Sequence, residues 1–343
     1  MCSVLSIIAI LVYDKNIDSI SSISEEVTFE VKENATYSTL GKDLFDAGLI
    51  KSEFFYKIYI KINKPDKLYK GQYILNKNMS IEKIVSALSG VNSYNPDLIL
   101  VTFKEGINMR KIASIIEENT ENTKEDVLNL LKDDGYIKGL IDEYWFLDSV
   151  ILDKNIYYPL EGYLFPDTYQ ISKKSTVKEI FKVMLNQTKK VLTDYKEDIE
   201  SNKLSIHKII TLASMIELEA GNADDRKGVS GVFYNRLNGG WSLGSDVTTY
   251  YASKIDDWSY SLTYNELHDC SNKYNTRCPS FVGLPVGPIA NPSKDSIIAS
   301  INPTNHDYYY FVADCKGKTY LNYNSSGHSS TIAKLKADGN WCG

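Results

Sequence analysis

Leu204-Ser205-Ile206-His207-Lys208-Ile209-Ile210-Thr211-Leu212-Ala213-Ser214-Met215-Ile216-Glu217-Leu218-Glu219-Ala220-Gly221 is the stretch on which the reading of this chain turns. Ile209, Leu212, Ala213 and Ile216 share one face at helical spacing, so the pattern predicts an amphipathic helix over Leu204–Ala220, packed on a core and stopped by Gly221. Glu217 and Glu219 are two apart and project on nearly opposite flanks. They cannot both line one cleft. Glu219 lies beside Leu212 and Met215, and Glu217 beside Ala213 and Ile210, so periodicity leaves the choice open. Position favours Glu219, which sits in the last turn, where partly negative carbonyls oppose a carboxylate. That effect is only about 0.3–1 kcal/mol, less than one pKa unit. Desolvation has to supply most of any upward shift. A carboxyl raised in this way holds its proton at neutral pH and can act as a general acid. Without further motifs the same residue reads as a solvated helix-end acid.

Downstream, helical spacing continues over Asp224–Leu237, and Tyr274–Ile289 is a long loop with repeated Gly and Pro signals. Ser293–Ser300 returns to helix and Tyr308–Ala313 to an aromatic strand. Upstream, Val177–Tyr195 reads as one helix. Pro159–Tyr169 is too dense in aromatics, prolines and acids for one regular element; it is either a scaffold turn or part of a cleft wall. Leu98–Phe103 is a strand, followed by a turn at Gly106 and a helix over Met109–Glu118. Further towards the start, Val27–Val31 alternates as a strand. Helices are expected around Tyr37–Ala47 and Ser52–Ile62, stopped by Gly48 and Pro65. Leu68–Leu75 reads as a strand and Ser80–Leu88 as a capped helix closed by Gly90. The fold class is therefore α+β, with residues 27–92 as a small module after a linker over 14–26, and a larger domain over 98–343.

The 343 residues suffice for two domains. With 43% hydrophobic and 24% charged residues the chain is ordinary globular material. The net charge of −6, with no basic stripe to offset it, argues against a nucleic-acid partner. The 25 tyrosines offer stacking platforms, although compositional bias explains most of them. Val4–Tyr13 is apolar and uncharged but short of a full bilayer crossing. No basic residue precedes it and no cleavage site follows. We read residues 1–13 as part of a membrane anchor, the alternative being a buried core helix. Cys2 is not in a lipoprotein-type box. Cys270, Cys278, Cys315 and Cys342 lack paired metal-site spacing, so no metal site is expected. One or two disulfides and free thiols remain equally open.

The ordered set Glu161–Tyr169, Phe233–Leu237, Leu243–Thr248, Tyr274–Thr276, Gly283–Pro292 and Tyr308–Ala313 resembles the YceG-like (MltG) endolytic murein transglycosylase family, from about Val27 onward. That resemblance implies an N-terminal membrane anchor, a LysM-like module and an extracytoplasmic YceG-like catalytic domain on a single-pass cell-membrane protein. It implies cleavage of nascent peptidoglycan glycan strands between N-acetylmuramic acid and N-acetylglucosamine, giving 1,6-anhydro ends without a cofactor, and peptidoglycan synthases as partners. The family's catalytic glutamate, second of a Glu-x-Glu pair, falls on Glu219, with Glu217 as a structural partner. Tyr234, Asn235, Ser245, Asp246, Thr248, Tyr274, Asn275, Thr276 and Asn291 sit on matched motifs as candidates to hold acetamido or hydroxyl groups. A structural turn or cap is the competing role for each. Arg236 is placed to pair with Glu217, Asp246 or a substrate carboxylate. His328 also falls on a family position, where a lone histidine is more often structural.

The chain departs from the family pattern at Gly244, where Gln is common, and at Val286, where Pro is usual. Arg277-Cys278-Pro279 and the segment Asp256–Cys270 are also unusual. Two other functions compete. A hydrolytic muramidase would use a second carboxylate such as Asp246 to activate water. A non-catalytic wall-binding or scaffold protein would be indifferent to loss of Glu219.

Overall fold

The computed structural model describes residues 12–65, 68–89 and 98–342. The expected anchor, apart from its last two residues, and the Gly90 helix stop lie outside these. Among the described residues no helix is long and apolar enough to cross a membrane. The chain divides into two compact units, 1–99 and 100–343.

In the first unit β1 (Glu26–Val31) is followed by α1 (Tyr37–Asp46), α2 (Glu53–Asn63), β2 (Gly71–Asn76) and α3 (Ile81–Ser89). The two strands pair antiparallel, Glu26 opposite Asn76 and Val31 opposite Gly71. The period-two pattern turns Phe29 and Val31 of β1, with Tyr73 and Leu75 of β2, into one core with Leu40, Leu44, Tyr56, Ile84 and Leu88. Thr36 opens α1 with a capping box to Thr39. Gly48, at φ +64°, closes the turn after α1, as its position suggests. The stop assigned to Pro65 falls one residue earlier, on Lys64 in the left-handed region.

β3 (Leu98–Thr102), whose last three residues open the second unit, is followed by α4 (Met109–Asn119), α5 (Lys124–Leu130), α6 (Asp134–Glu143) and β4 (Thr168–Ser172), which pairs with β3. Then come α7 (Val177–Thr193), α8 (Lys196–Ser201), α9 (Ile206–Glu219), α10 (Arg226–Asn238), α11 (Asp246–Ala252), α12 (Tyr264–Leu267) and α13 (Lys294–Ile301). An antiparallel pair, β5 (Tyr310–Ala313) and β6 (Thr319–Asn322), and α14 (Ser325–Ala337) complete it. The helix expected over Val177–Tyr195 ends at Thr193, and Asp194-Tyr195 turn the chain into α8.

α9 is not amphipathic. Every residue from Ile209 to Ile216 is buried, so this is a central helix covered on all sides. Its hydroxyls are satisfied locally. Thr211 donates to the His207 carbonyl, Ser214 donates to that of Thr211, and Ser214 accepts from the Ile289 amide. α10 and α13 pack against it, and the core there includes Leu212, Met215, Val229, Phe233, Val247, Tyr251 and Ala299. The helix does stop before Gly221, for a reason other than left-handed geometry. Ala220 is already extended, and a Cβ on Gly221 would lie 2.6 Å from the Gly317 carbonyl oxygen. The glycine allows two backbones to touch. In the aromatic segment Pro159–Tyr169, Leu160, Glu161, Tyr163 and Leu164 are buried as scaffold, while Pro166, Asp167 and Thr168 line a cavity of their own.

Candidate functional site

Glu219 is the last residue of α9, half-buried, and lines a cavity of about 420 Å³ with Arg236, Trp241, Asp246, Arg277, Tyr310, Phe311 and His328. Its Oε1 accepts a hydrogen bond from the Ser245 hydroxyl at 2.5 Å. Burial pushes its pKa up, and the Asp246 charge pushes the same way. The Ser245 hydrogen bond and the Arg236 and Arg277 charges oppose them, and burial prevails.

Glu217 lives differently. Its side chain is 6% exposed and pairs with Arg226 at 3.0 Å. Its other oxygen accepts from the amide and hydroxyl of Ser293, the residue that caps α13. It thereby ties the end of α9 to the starts of α10 and α13. The flank geometry holds: the two acids face separate surroundings.

Neither protein carboxylate expected to pair with Arg236 does so. Glu217 takes Arg226, and Asp246 takes Arg277 at 3.0 Å. Arg236 donates Nε to the Tyr309 carbonyl and Nη1 to that of Leu243, with its guanidinium 5.5 Å from the Tyr310 ring centre. It holds β5 and the loop before α11 around the cavity. Burial lowers its pKa. Arg226 and Arg277 were invisible as partners because each is brought in by a turn whose geometry no local pattern encodes.

Of the binding candidates, Asp246 lines the cavity and Ser245 touches Glu219. The others build the walls behind them. Tyr234 donates to the Ser300 carbonyl, and Asn235 to those of His306 and Tyr308. Thr248 donates to the Ser245 carbonyl and lies 2.9 Å from the Thr276 hydroxyl. Thr276 receives the Ser245 amide, and its carbonyl receives the Gly244 amide. Asn275 donates to the Glu266 and Asp269 carbonyls and accepts from Thr249. Tyr274 is wholly buried, its hydroxyl accepting from the Tyr157 amide. Asn291 donates to the Ile107 carbonyl and to Glu161, and accepts from the Leu164 amide. All of these are therefore scaffold rather than cavity lining. Gly244 has φ +60°, a conformation a glutamine would strain to adopt.

Several residues of the cavity wall carried no assigned sequence role, among them Trp241, Ser242, Arg277, Tyr310 and Phe311. Trp241, 44% exposed, leans on Tyr309 with ring centres 4.9 Å apart. His328 lines the cavity beside Tyr310, and burial lowers its pKa. Cys270 and Cys278 form a disulfide, as do Cys315 and Cys342. The first closes the loop that carries Arg277 to the cavity. A further acid, Glu161, is 1% exposed and accepts from the Met109 amide, the Tyr251 hydroxyl and the Asn291 amide group. Burial pushes its pKa up to about 7.

A small, mixed α+β frame with a buried helix ending in one desolvated acid, on a polar cavity with aromatic walls, matches a known family. The YceG-like family model covers residues 29–334, and the chain belongs to that family. It is 34% identical over 314 residues to the endolytic murein transglycosylase of Bacillus subtilis strain 168, covering 90% of this chain and 84% of that one. It is 33% identical over 319 residues to the protein of that name from Streptococcus pneumoniae strain D39, covering 90% of this chain and 58% of the relative. The crystal structure of a putative yceG-like protein from Listeria monocytogenes superposes with a TM-score of 0.63 at 31% identity, covering 90% of this chain and all of that one.

Proposed function

We propose that this protein is an endolytic murein transglycosylase that cleaves glycan strands between N-acetylmuramic acid and N-acetylglucosamine. The observation that carries the chemistry is the setting of Glu219: a carboxyl raised by burial, held by Ser245 and open to the cavity. In its protonated form it gives its proton to the glycosidic oxygen as the C1–O bond breaks. The resulting carboxylate then takes the proton of the muramoyl C6 hydroxyl as that oxygen bonds to C1. A 1,6-anhydro ring forms, no water is consumed, and the acid is restored. Ser245 fixes the carboxylate's orientation, and the oxygen it does not bind is left to face the substrate. Trp241 and Tyr310 supply apolar faces for sugar rings, and Arg277 supplies charge at the rim.

In this reading the first unit is a LysM-like module, which its order of strand, two helices and antiparallel strand supports. The chain start is the membrane anchor, the catalytic unit works outside the cell membrane, and peptidoglycan synthases deliver the strand. Digestion of polymerised glycan by the purified protein, with mass analysis of the new ends, tests the chemistry. Anhydro-muramoyl ends are expected. Reducing ends would instead favour hydrolysis assisted by Asp246, and intact strands a binding role.

A further inference from the structure

The Glu219 cavity opens at the first turn of α11, where Asp246 stands. Asp246 and Tyr250 are four residues apart and so lie on one stripe of that helix, separated by about 6 Å along its axis. The Tyr250 ring is 5.0 Å from that of Trp258, and its hydroxyl donates to the Tyr260 carbonyl, pinning this loop to the helix. Trp258 is 56% exposed. It lines a second cavity of about 240 Å³ together with Arg110, Lys111 and Asp256. The same cavity is floored by Gly106, at φ +75°, where a Cβ would lie 3.4 Å from Leu218, the neighbour of Glu219. Two cavities thus flank the last turn of α9, and one face of α11 runs between them.

The second cavity has a definite chemistry. Asp256 is consumed by Arg110, which meets it through both Nε and Nη2, and by Asn108. Lys111 has no ion pair among the described residues. What remains is an indole face beside one uncompensated cation. That pairing suits a sugar ring with a carboxylate substituent: the ring lies on the indole, and the carboxylate meets the ammonium.

We infer that this cavity is a distal glycan subsite, in which Trp258 stacks a sugar of the strand held at Glu219 and Lys111 reads a carboxylate borne by it. The inference rests on the murein reading above and adds to it a reason for cutting within strands. A strand that runs past the reactive bond is gripped one short helix away, and a short end is not.

Calorimetry of the Glu219→Gln protein with muramoyl glycan strands of graded length tests this without needing turnover. Adding Trp258→Ala should weaken long strands on the order of tenfold and leave oligosaccharides too short to reach the loop unchanged. Trp258→Phe should restore most of the loss. Lys111→Gln should weaken strands with free lactyl carboxylates or peptide-borne carboxylates, assayed separately to tell the two sources apart, and leave chitin oligomers unaffected. Loss independent of length, or no loss with any strand, overturns the subsite. An unchanged unfolding midpoint for Trp258→Ala is expected from the exposure of the ring. Absence of anhydro ends with the unmodified protein would instead defeat the enzymatic reading, while the length series still judges the subsite.

Discussion

Glu217 and Glu219 leave the same helix turn and meet opposite fates. Glu217 receives a guanidinium, an amide and a hydroxyl, so its charge is fully answered within the protein. Glu219 receives a single hydroxyl from a neutral residue and opens on a cavity. One acid is held by an ion pair and two hydrogen bonds and acts as a brace. The other has one hydrogen-bond donor among the described residues, and burial raises its pKa and leaves it reactive. Proximity in sequence therefore says little about role; what decides is which side chains the neighbouring turns deliver.

The largest expected effect follows from exchanging the reactive acid. Glu219→Gln should lower release of anhydro ends by at least about a thousandfold, the scale of a lost general acid–base group. The amide oxygen can still accept from Ser245, so the unfolding midpoint should hold. Substantial turnover by this protein, with Glu217→Gln inactive though folded, would reverse the assignment of the two acids.

Glu217→Gln probes the other side of the contrast. It leaves Arg226, whose side chain is 12% exposed, with Asp295 at 3.7 Å as its ion-pair partner among the described residues. Breaking such a pair should cost about 3 kcal/mol of stability, measured by denaturant unfolding. Activity at a temperature where the variant remains folded should fall far less than for Glu219→Gln. An unchanged unfolding free energy would remove Glu217 as a brace.

Glu161 sharpens the comparison, because it too is raised by burial but is closed off from solvent, at 1% exposure. Its pKa is about 7 in the fold against an ordinary 4.5. Between those values the unfolded chain has lost the proton and the folded chain still holds it, so stability falls as pH rises through that window. The contribution is about 3 kcal/mol, since each tenfold difference in proton affinity is worth about 1.4 kcal/mol. Glu161→Gln should flatten the slope of unfolding free energy between pH 4.5 and 7. A slope that persists in this variant would assign the dependence to other groups.

Much of this frame was legible in the sequence. The strands and helices around Phe29 and Leu40, and the helix that carries both acids, follow from periodicity. The all-round burial of α9 did not, because Thr211 and Ser214 look polar until their hydroxyls are seen bonded to the helix itself. At the site, Glu219 could be favoured from its place in the last turn. The walls could not be read: Asn235, Asn275 and Asn291 resemble ligand-binding amides in any motif, and only the fold shows each one satisfied by backbone. Arg277 reaches Asp246 from more than thirty residues away, through a disulfide-closed loop, and nothing local to either residue signals the pair.

Ser245→Ala should cost about tenfold in rate, in keeping with roughly 1.5 kcal/mol for one hydrogen bond to a charged group. The Ser245 hydroxyl favours the ionised carboxyl. Its loss should therefore raise the Glu219 pKa further and carry the alkaline limb of the rate profile to higher pH. A limb that stays in place with the rate unchanged would show that this contact does not act on the reacting form.

The smallest effects come from the rim pair, and they differ in sign. Asp246 raises the Glu219 pKa and Arg277 lowers it. Activity that requires the protonated acid falls as pH rises through that pKa. Asp246→Asn removes the neighbouring negative charge and frees the Arg277 cation, so the alkaline limb should move to lower pH. Arg277→Gln removes the cation and unmasks Asp246, so the limb should move to higher pH. Both side chains are substantially exposed, at 56% and 40%, so these displacements should be small and should shrink as salt is added. The Ser245→Ala displacement comes from a direct hydrogen bond and should survive the same salt. If the two rim variants move the limb in one direction, or if salt leaves them untouched, the rim charges do not set the proton affinity of Glu219. The contrast with Glu217 would then rest on burial and Ser245 alone.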